Sequence, residues 1–116
     1  MVVVYFDGEV DEEEEEDKKK EILKYSNPIK VIKNAEKYLG PNTKVYFSTR
    51  NSKKYMIMNP KTGKFSHFGQ MGFSDFTQHN DPERRKKYLS RATNIKGSWE
   101  NDPYSPNNLS IHILWN

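Results

Sequence analysis

The sequence predicts an α+β fold: a small single domain in which a three-stranded antiparallel meander is flanked by about three short helices, with an N-terminal arm in front. Three observations predict it. The helix starts share one signature, the middle of the chain alternates with period 2, and charge divides sharply between the first residues and the rest. A chain of 116 residues fits one domain of this kind.

A capping side chain followed by proline marks each of the three predicted helix starts. The pairs are Asn27-Pro28, Asp81-Pro82 and Ser105-Pro106. The cap oxygen accepts a hydrogen bond from an unpaired amide of the first turn, and the proline has no amide to lose. Gly40 and Gly97 are predicted to end the first two helices. The third segment alternates like a strand as far as Ile113, but its cap favours a short helix.

The three predicted strands lie between the first two helices. Residues 43–49, 53–59 and 64–69 alternate between apolar and polar side chains, as strands with one covered face do. The run Asn59-Pro60-Lys61-Thr62-Gly63 is typical of a tight hairpin with glycine in the left-handed position. Short connections of this kind join neighbouring strands antiparallel, which gives the meander.

The charge distribution predicts two regions. Residues 1–21, read as an apolar tip and an acidic flexible arm, hold ten acids against three lysines, a net charge of −7. Residues 22–116, the basic α+β domain, carry a net charge of +10. The arm is expected to be mobile or a solvated helical lead-in. Its apolar tip is expected to add a strand to this sheet or to a partner's; it comprises Val2, Val3, Val4, Tyr5 and Phe6.

Several function classes are not expected from the sequence. The absence of cysteine excludes disulfides, zinc fingers and thiol nucleophiles. His67, His79 and His112 have no metal-ligand spacing, so we expect no metal and no cofactor. Ser66, Ser74 or Thr77 could form a triad with His79 and Asp81, but no nucleophile elbow or phosphate loop is present. We therefore expect neither catalytic residues nor a small-molecule substrate, with His79 hydrogen-bonded near the following helix start.

The N-terminal residues also indicate where in the cell the protein is expected. The opening MVVVYF is too short for a membrane span and lacks the basic start of a signal peptide. We therefore expect synthesis in the cytoplasm and no membrane span.

The basic residues are the strongest functional feature of the sequence. On the helix from Pro82, three of them recur at helical spacing along one ridge. The predicted partner- or phosphate-binding residues are Arg50, Lys53, Lys54, Arg84, Arg85, Lys87 and Arg91. Such residues contact phosphates or acidic protein surfaces without reading bases. An ordinary solvated helix face is the alternative, and it stays open.

Most of the chain resembles a small family of giant double-stranded DNA viruses, the phycodnavirus and mimivirus relatives. The motifs are Ser48-Thr49-Arg50, Lys53 to Met56, Asn59 to Lys64, His67 to Gly69, Phe73 to His79, Arg84-Arg85 with Tyr88, and Tyr104 to Leu109 with Leu114-Trp115. The resemblance covers roughly residues 25–116 and leaves out the acidic arm. It implies a virion component, and it carries over no catalytic residue.

Two functions from different classes follow. In the first, the protein is a non-enzymatic virion component, a minor capsid or capsid-associated protein that docks on other virion proteins. In the second, the basic domain binds the packaged viral DNA without sequence preference, and the acidic arm competes for the basic patch. The first is preferred, because the basic residues are spread along the chain and no aromatic platform for base stacking is evident.

Overall fold

The structure, a computed structural model, describes residues 12–116, with side chains from residue 16 onward. The helices are α1 Glu12–Tyr25, α2 Pro28–Leu39, α3 Phe76–His79, α4 Pro82–Thr93 and α5 Pro106–Leu109. The strands are β1 Tyr46–Phe47, β2 Lys53–Met58 and β3 Phe65–Gln70. A 3-10 turn, Trp99–Asn101, precedes α5, and a π-helical turn, Ser110–Leu114, follows it. This confirms the predicted α+β class with a three-stranded antiparallel sheet.

All three predicted caps begin helices. The Asn27 side chain accepts hydrogen bonds from two amides of α2, and Gly40 ends that helix with a φ of 114°. The Asp81 side chain accepts from two amides of α4, and the Ser105 hydroxyl accepts from the Asn108 amide at 3.2 Å. The segment after Pro106 is helical, as the cap favoured.

The sheet follows the predicted meander, in the order β1-β2-β3. The Asn59 amide donates to the Lys64 carbonyl at 2.8 Å, and Gly63 has a φ of 72°, so the hairpin is confirmed. The first strand is shorter than predicted. Both the amide and the hydroxyl of Thr43 bond to the Gly40 carbonyl, which commits this residue to the turn after α2.

The core lies between the sheet and the helices that cover one of its faces. Its largest fully buried side chains include Tyr55 and Phe68 from neighbouring strands, whose rings lie 5.9 Å apart. Helix α2 and the C-terminal segment supply the opposing layer; their buried residues are Val31, Ile32, Ala35, Leu109, Ile113 and Leu114. Each buried aliphatic or aromatic side chain of this kind contributes about 1.5–3 kcal/mol relative to exposure.

The predicted end of the second capped helix is wrong, and the structure also locates the predicted boundary of the arm. Helix α4 ends at Thr93 and not near Gly97, because Asn94 caps it: its amide bonds to the Arg91 carbonyl and its side-chain amide donates to the Ser90 carbonyl at 2.7 Å. The boundary between residues 21 and 22 falls inside α1, which runs from the acidic sequence into the core. Ile22 is fully buried, so burial of this side chain ties the helix to the domain.

The predicted partner strand, Val2, Val3, Val4, Tyr5 and Phe6, lies outside the described residues. Across residues 12–116 no helix has both the length and the apolar character that crossing a membrane requires.

Candidate anion-binding cleft

A cleft of about 510 Å³ opens where α4 and the C-terminal residues meet the sheet. Strand β2 contributes two lysines, and α4 contributes three cations. These five are Lys53, Lys54, Arg84, Lys87 and Arg91. Among the described residues, Asp75 is the one acid that lines the cleft. The fold therefore gathers five of the seven predicted basic residues around a single concave surface.

The three cations of α4 point along one ridge of the helix. Arg84, Lys87 and Arg91 are three and four residues apart and all are exposed. In the part of the chain that the structure describes, none of the three forms an ion pair with a carboxylate. Arg84 also sits in the first helical turn, where a positive charge opposes the helix dipole. Their position is therefore not explained by stabilisation of the helix.

Lys54, one of the predicted partner- or phosphate-binding residues, is buried. Its side chain is only 2% exposed, whereas a partner-binding cation has to reach solvent. Its Nζ donates to the Phe73 carbonyl at 2.6 Å and lies 3.1 Å from the Asp75 carboxylate. Burial lowers the pKa of Lys54, and the neighbouring Asp75 opposes that shift. Lys54 forms the floor of the cleft and holds the loop beside it.

Asp75 anchors a buried polar network below the cleft. Its carboxylate accepts hydrogen bonds from the amide and the hydroxyl of Thr77. The Thr77 hydroxyl in turn accepts from the Asn27 amide at 2.9 Å and lies 3.3 Å from the Ser26 hydroxyl. The Tyr55 hydroxyl donates to Ser26 at 2.7 Å, and burial raises the pKa of that phenol. The network joins β2, the α1–α2 junction and the loop before α3, and sequence reasoning missed it.

Arg85, another predicted partner- or phosphate-binding residue, contacts other parts of the fold. Its Nε donates to the Trp115 carbonyl at 2.7 Å, and its guanidinium lies 5.5 Å from the centre of the Phe76 ring. The side chain is half-buried, so it docks the C-terminus on α4. Unlike the exposed Arg84, it is held against the fold by its Nε hydrogen bond and by its contact with the Phe76 ring.

Arg50 lies outside the cleft in a second basic cluster. Its carbonyl accepts a hydrogen bond from Lys18 Nζ of α1 at 2.7 Å, and burial lowers the pKa of that lysine. Arg50, Lys18 and Lys53 all lie close enough to His67 to lower the pKa of its imidazole, after the larger effect of burial. Because Lys53 also lines the cleft, the two basic regions are adjacent.

Three aromatic side chains also form part of the cleft wall. Phe73 is 65% exposed, an unusual position for a phenylalanine. The rings of Tyr88 and Trp115 stack with centroids 4.1 Å apart and an interplanar angle of 7°. All three residues line the cleft. The fold therefore places an exposed aromatic ring beside the basic residues, and it brings together aromatics that are far apart in sequence.

The three histidines have separate hydrogen-bonding or packing roles. His79 Nδ1 accepts from the Asp81 amide at 2.9 Å, which confirms the predicted contact near the start of α4. His67 Nδ1 lies 2.7 Å from the Ser48 hydroxyl, and His112 stacks on Tyr38 at 4.3 Å. Among residues 12–116, no three or more histidine, cysteine or acidic side chains come together as metal ligands.

The two ring nitrogens of His79 have different environments. Nε2 is buried and has no hydrogen-bond partner within the described residues. Because Nδ1 is an acceptor, the proton of the neutral ring resides on Nε2. Burial lowers the pKa of His79, the nearby Arg84 adds to this, and the Trp115 ring lies 5.2 Å away. The neutral ring is thus a packing element between α3 and the C-terminus.

The triad considered from the sequence is not assembled around His79. The Thr77 hydroxyl donates to Asp75, and the Asp81 carboxylate accepts from the first amides of α4. The nitrogen of His79 that could act as a base accepts the Asp81 amide. These groups therefore serve the capping and connection of short helices.

Comparison with known proteins adds one result. Residues 43–92 match a family of unknown function (DUF5754). The matched segment contains the sheet, Phe73, Asp75 and almost all of α4, and it ends before the C-terminal residues that complete the cleft. No curated protein and no solved structure matches the chain.

Proposed function

We propose that this protein is a non-enzymatic nucleic-acid-binding protein that contacts phosphate groups through the basic cleft. One observation carries the proposal: the fold gathers five cations around a single cleft with an exposed aromatic side chain at its wall. Clustered positive charge beside an aromatic ring is the surface that nucleic-acid-binding proteins present.

The charges of the cleft support an anionic ligand. Asp75 is balanced by Lys54, with which it forms a buried pair at 3.1 Å. The remaining lining cations, Lys53, Arg84, Lys87 and Arg91, therefore give this surface an excess positive charge. A polymer with one charge per phosphate complements such a surface better than a single small anion, because each additional phosphate releases bound counterions.

The chemistry of the ridge favours binding without sequence preference. Arginine and lysine side chains contact phosphates wherever these lie along the backbone. If the protein belongs to a giant DNA virus, as the resemblance implies, the proposed ligand is viral nucleic acid.

The test is the affinity for a fluorescent oligonucleotide at two salt concentrations. The test variant replaces Arg84, Lys87 and Arg91 by alanine. The matched control replaces Lys61, Lys64 and Lys96, three exposed lysines outside the cleft lining, and it loses the same charge. We expect the test variant to bind at least about tenfold more weakly than the control, because it loses the phosphate contacts themselves.

The salt dependence gives a second readout. The slope of log affinity against log salt is about −0.7 for each phosphate neutralised on a single strand, and it should flatten in the test variant alone. Equal affinities of the two triple variants would refute the cleft as the binding site. No binding of the unmodified protein at low salt would refute the proposed function.

A structural role in the virion is the second candidate. Leu23, near the end of α1, is 50% exposed, and Ile29, in the first turn of α2, is 56% exposed. Exposed aliphatic side chains favour contact with another protein where they form one apolar patch. Together with the resemblance, this supports a minor capsid or capsid-associated protein that docks on other virion proteins.

Fractionation of purified virus particles separates the two candidates. A nucleic-acid-binding protein follows the genome when the shell is removed, whereas a capsid component stays with the shell. Competition by polyglutamate gives an independent result with the isolated protein. If polyglutamate displaced the oligonucleotide as efficiently as an unlabelled strand, the cleft would be a dock for acidic protein surfaces.

A further inference from the structure

We propose that the cleft selects single-stranded nucleic acid, with one base stacked on Phe73 while Arg84, Lys87 and Arg91 hold the neighbouring phosphates. This rests on the proposed function and names the ligand class within it. It is carried by three features of the described residues: the exposure of the Phe73 ring, the way its loop is fixed, and the size of the cleft.

The exposure of Phe73 is not explained by packing. Its side chain is 65% exposed, whereas the nearby Phe68 is fully buried. The rings of Tyr88 and Trp115 stack on each other, and Phe76 has the Arg85 guanidinium beside it. Phe73 thus presents its ring to solvent in the cleft where the basic residues lie. An aromatic face in that position is suited to stacking on a base.

A hydrogen bond from the buried Lys54 fixes the backbone at Phe73. The Lys54 ammonium donates to its carbonyl at 2.6 Å, and Asp75 keeps that ammonium in place. On the far side of the loop, the Asp75 amide bonds to the Tyr25 carbonyl at 2.9 Å. A loop fixed at both points leaves only the Phe73 side chain to be ordered on binding, which lowers the entropy cost of stacking. Lys54 and Asp75 are positioning residues for Phe73.

The size of the cleft argues for a single strand. A volume of about 510 Å³ lies in the range of roughly 300–1,000 Å³ in which proteins enclose one small ligand. One or two nucleotides of a flexible strand fit such a space, and a duplex does not enter it. In a duplex the base faces are also covered by their neighbours, so the Phe73 ring has nothing to stack on.

The experiment compares three probes of about 12 nucleotides, within the span that such proteins cover. They are a thymidine strand, a strand of the same length whose sugars carry no bases, and a duplex. All are measured by fluorescence anisotropy with the full chain, at low salt and at one moderate salt concentration. The variants are Phe73→Ala, Phe73→Tyr, which keeps a stacking ring, and Ile95→Ala, which truncates another exposed apolar residue outside the cleft lining.

We expect the thymidine strand to bind about tenfold more tightly than the strand without bases, the value for one stacked base. Phe73→Ala should remove this difference by weakening the binding of the thymidine strand. Phe73→Tyr and Ile95→Ala should keep the difference. Circular dichroism of each variant checks that the fold is intact.

Two results would overturn the inference and leave the proposed function standing. One is equal binding of strands with and without bases, with both still dependent on Arg84, Lys87 and Arg91. The other is tighter binding of the duplex than of the single strand. Weak binding of all three probes at low salt would instead refute the proposed function together with this inference.

Discussion

The side chain of Lys54 shapes the cleft although it is almost fully buried. A buried ammonium needs partners for its donors, and the Phe73 carbonyl and the Asp75 carboxylate supply them. Removing one partner of such a pair costs about 3–5 kcal/mol, because the other charge is left buried. The pair therefore fixes the loop that carries Phe73.

Gly69 has the most restricted environment among the described glycines. It lies in β3 with a φ of 81°. A Cβ at this position would lie 2.7 Å from Leu114 Cδ1 and 3.3 Å from Lys54 Cβ. Leu114 is only 1% exposed, so its methyl group would have to shift within the packed interior. Glycine is required here for both its conformation and its lack of a side chain.

We predict that Gly69→Ala destabilises the protein more than Gly63→Ala does. Both positions have a positive φ, which costs an L residue about 1–2 kcal/mol. A Cβ at Gly63 would meet nothing within 4 Å, whereas at Gly69 it overpacks the core and adds about 1–3 kcal/mol. Urea denaturation of the two variants measures the difference. Equal midpoints would show that Leu114 does not pack against β3 as described.

At the scale of elements, α4 has two faces with different tasks. One carries the exposed cations of the cleft, and the adjoining one carries Arg85 and Tyr88, which hold the C-terminal residues; the Tyr88 ring also lines the cleft. The stack on Trp115 and the hydrogen bond to its carbonyl close one wall of the cleft. The same helix therefore builds the cleft and supplies its charge, although adjacent arginines look equivalent in the sequence.

The neighbours Arg84 and Arg85 provide a matched pair of substitutions. We predict that Arg85→Lys lowers the free energy of unfolding by about 1–3 kcal/mol, because lysine cannot reproduce the Nε hydrogen bond and the planar contact with Phe76. Arg84→Lys keeps an exposed charge and should change it by less than about 0.5 kcal/mol. The measurement is again urea denaturation. A larger loss for Arg84→Lys would contradict the assignment of the two faces.

At the scale of the whole molecule, acidic and basic regions share one short chain. The first 21 residues carry a net charge of −7 and the remainder +10. Helix α1 is anchored by Ile22 and reaches the turn between β1 and β2 through Lys18, so its acidic sequence starts from a fixed point on the basic domain. Charges tethered in this way lower the local positive potential that attracts an anionic ligand.

We predict that replacing Glu12–Glu16 by glutamine tightens oligonucleotide binding roughly three- to tenfold at low salt, where screening reaches about 30 Å. Glutamine keeps a helix propensity close to that of glutamate, so α1 should be retained. At about 1 M salt, where screening falls to about 3 Å, the difference should disappear. An affinity at low salt equal to that of the unmodified chain would exclude competition by the acidic sequence.

Local chemistry explains which parts of the fold could be predicted. The caps at Asn27, Asp81 and Ser105, the hairpin glycine Gly63 and the period of β2 and β3 all act within a few residues, so the sequence displays them directly. The end of α4 was missed because Asn94 is a weaker stop than glycine and its cap depends on backbone geometry.

The sequence by itself determined the α+β class, the meander, the capped helix starts and the basic character of α4. Only the tertiary structure decided which cations line the cleft. Lys54 and Arg85 resemble the other cations in sequence, but one is paired beneath the loop and the other is bound to the C-terminus. The physical reason is long-range: burial and pairing depend on Asp75 and Trp115, which lie 21 and 30 residues away along the chain.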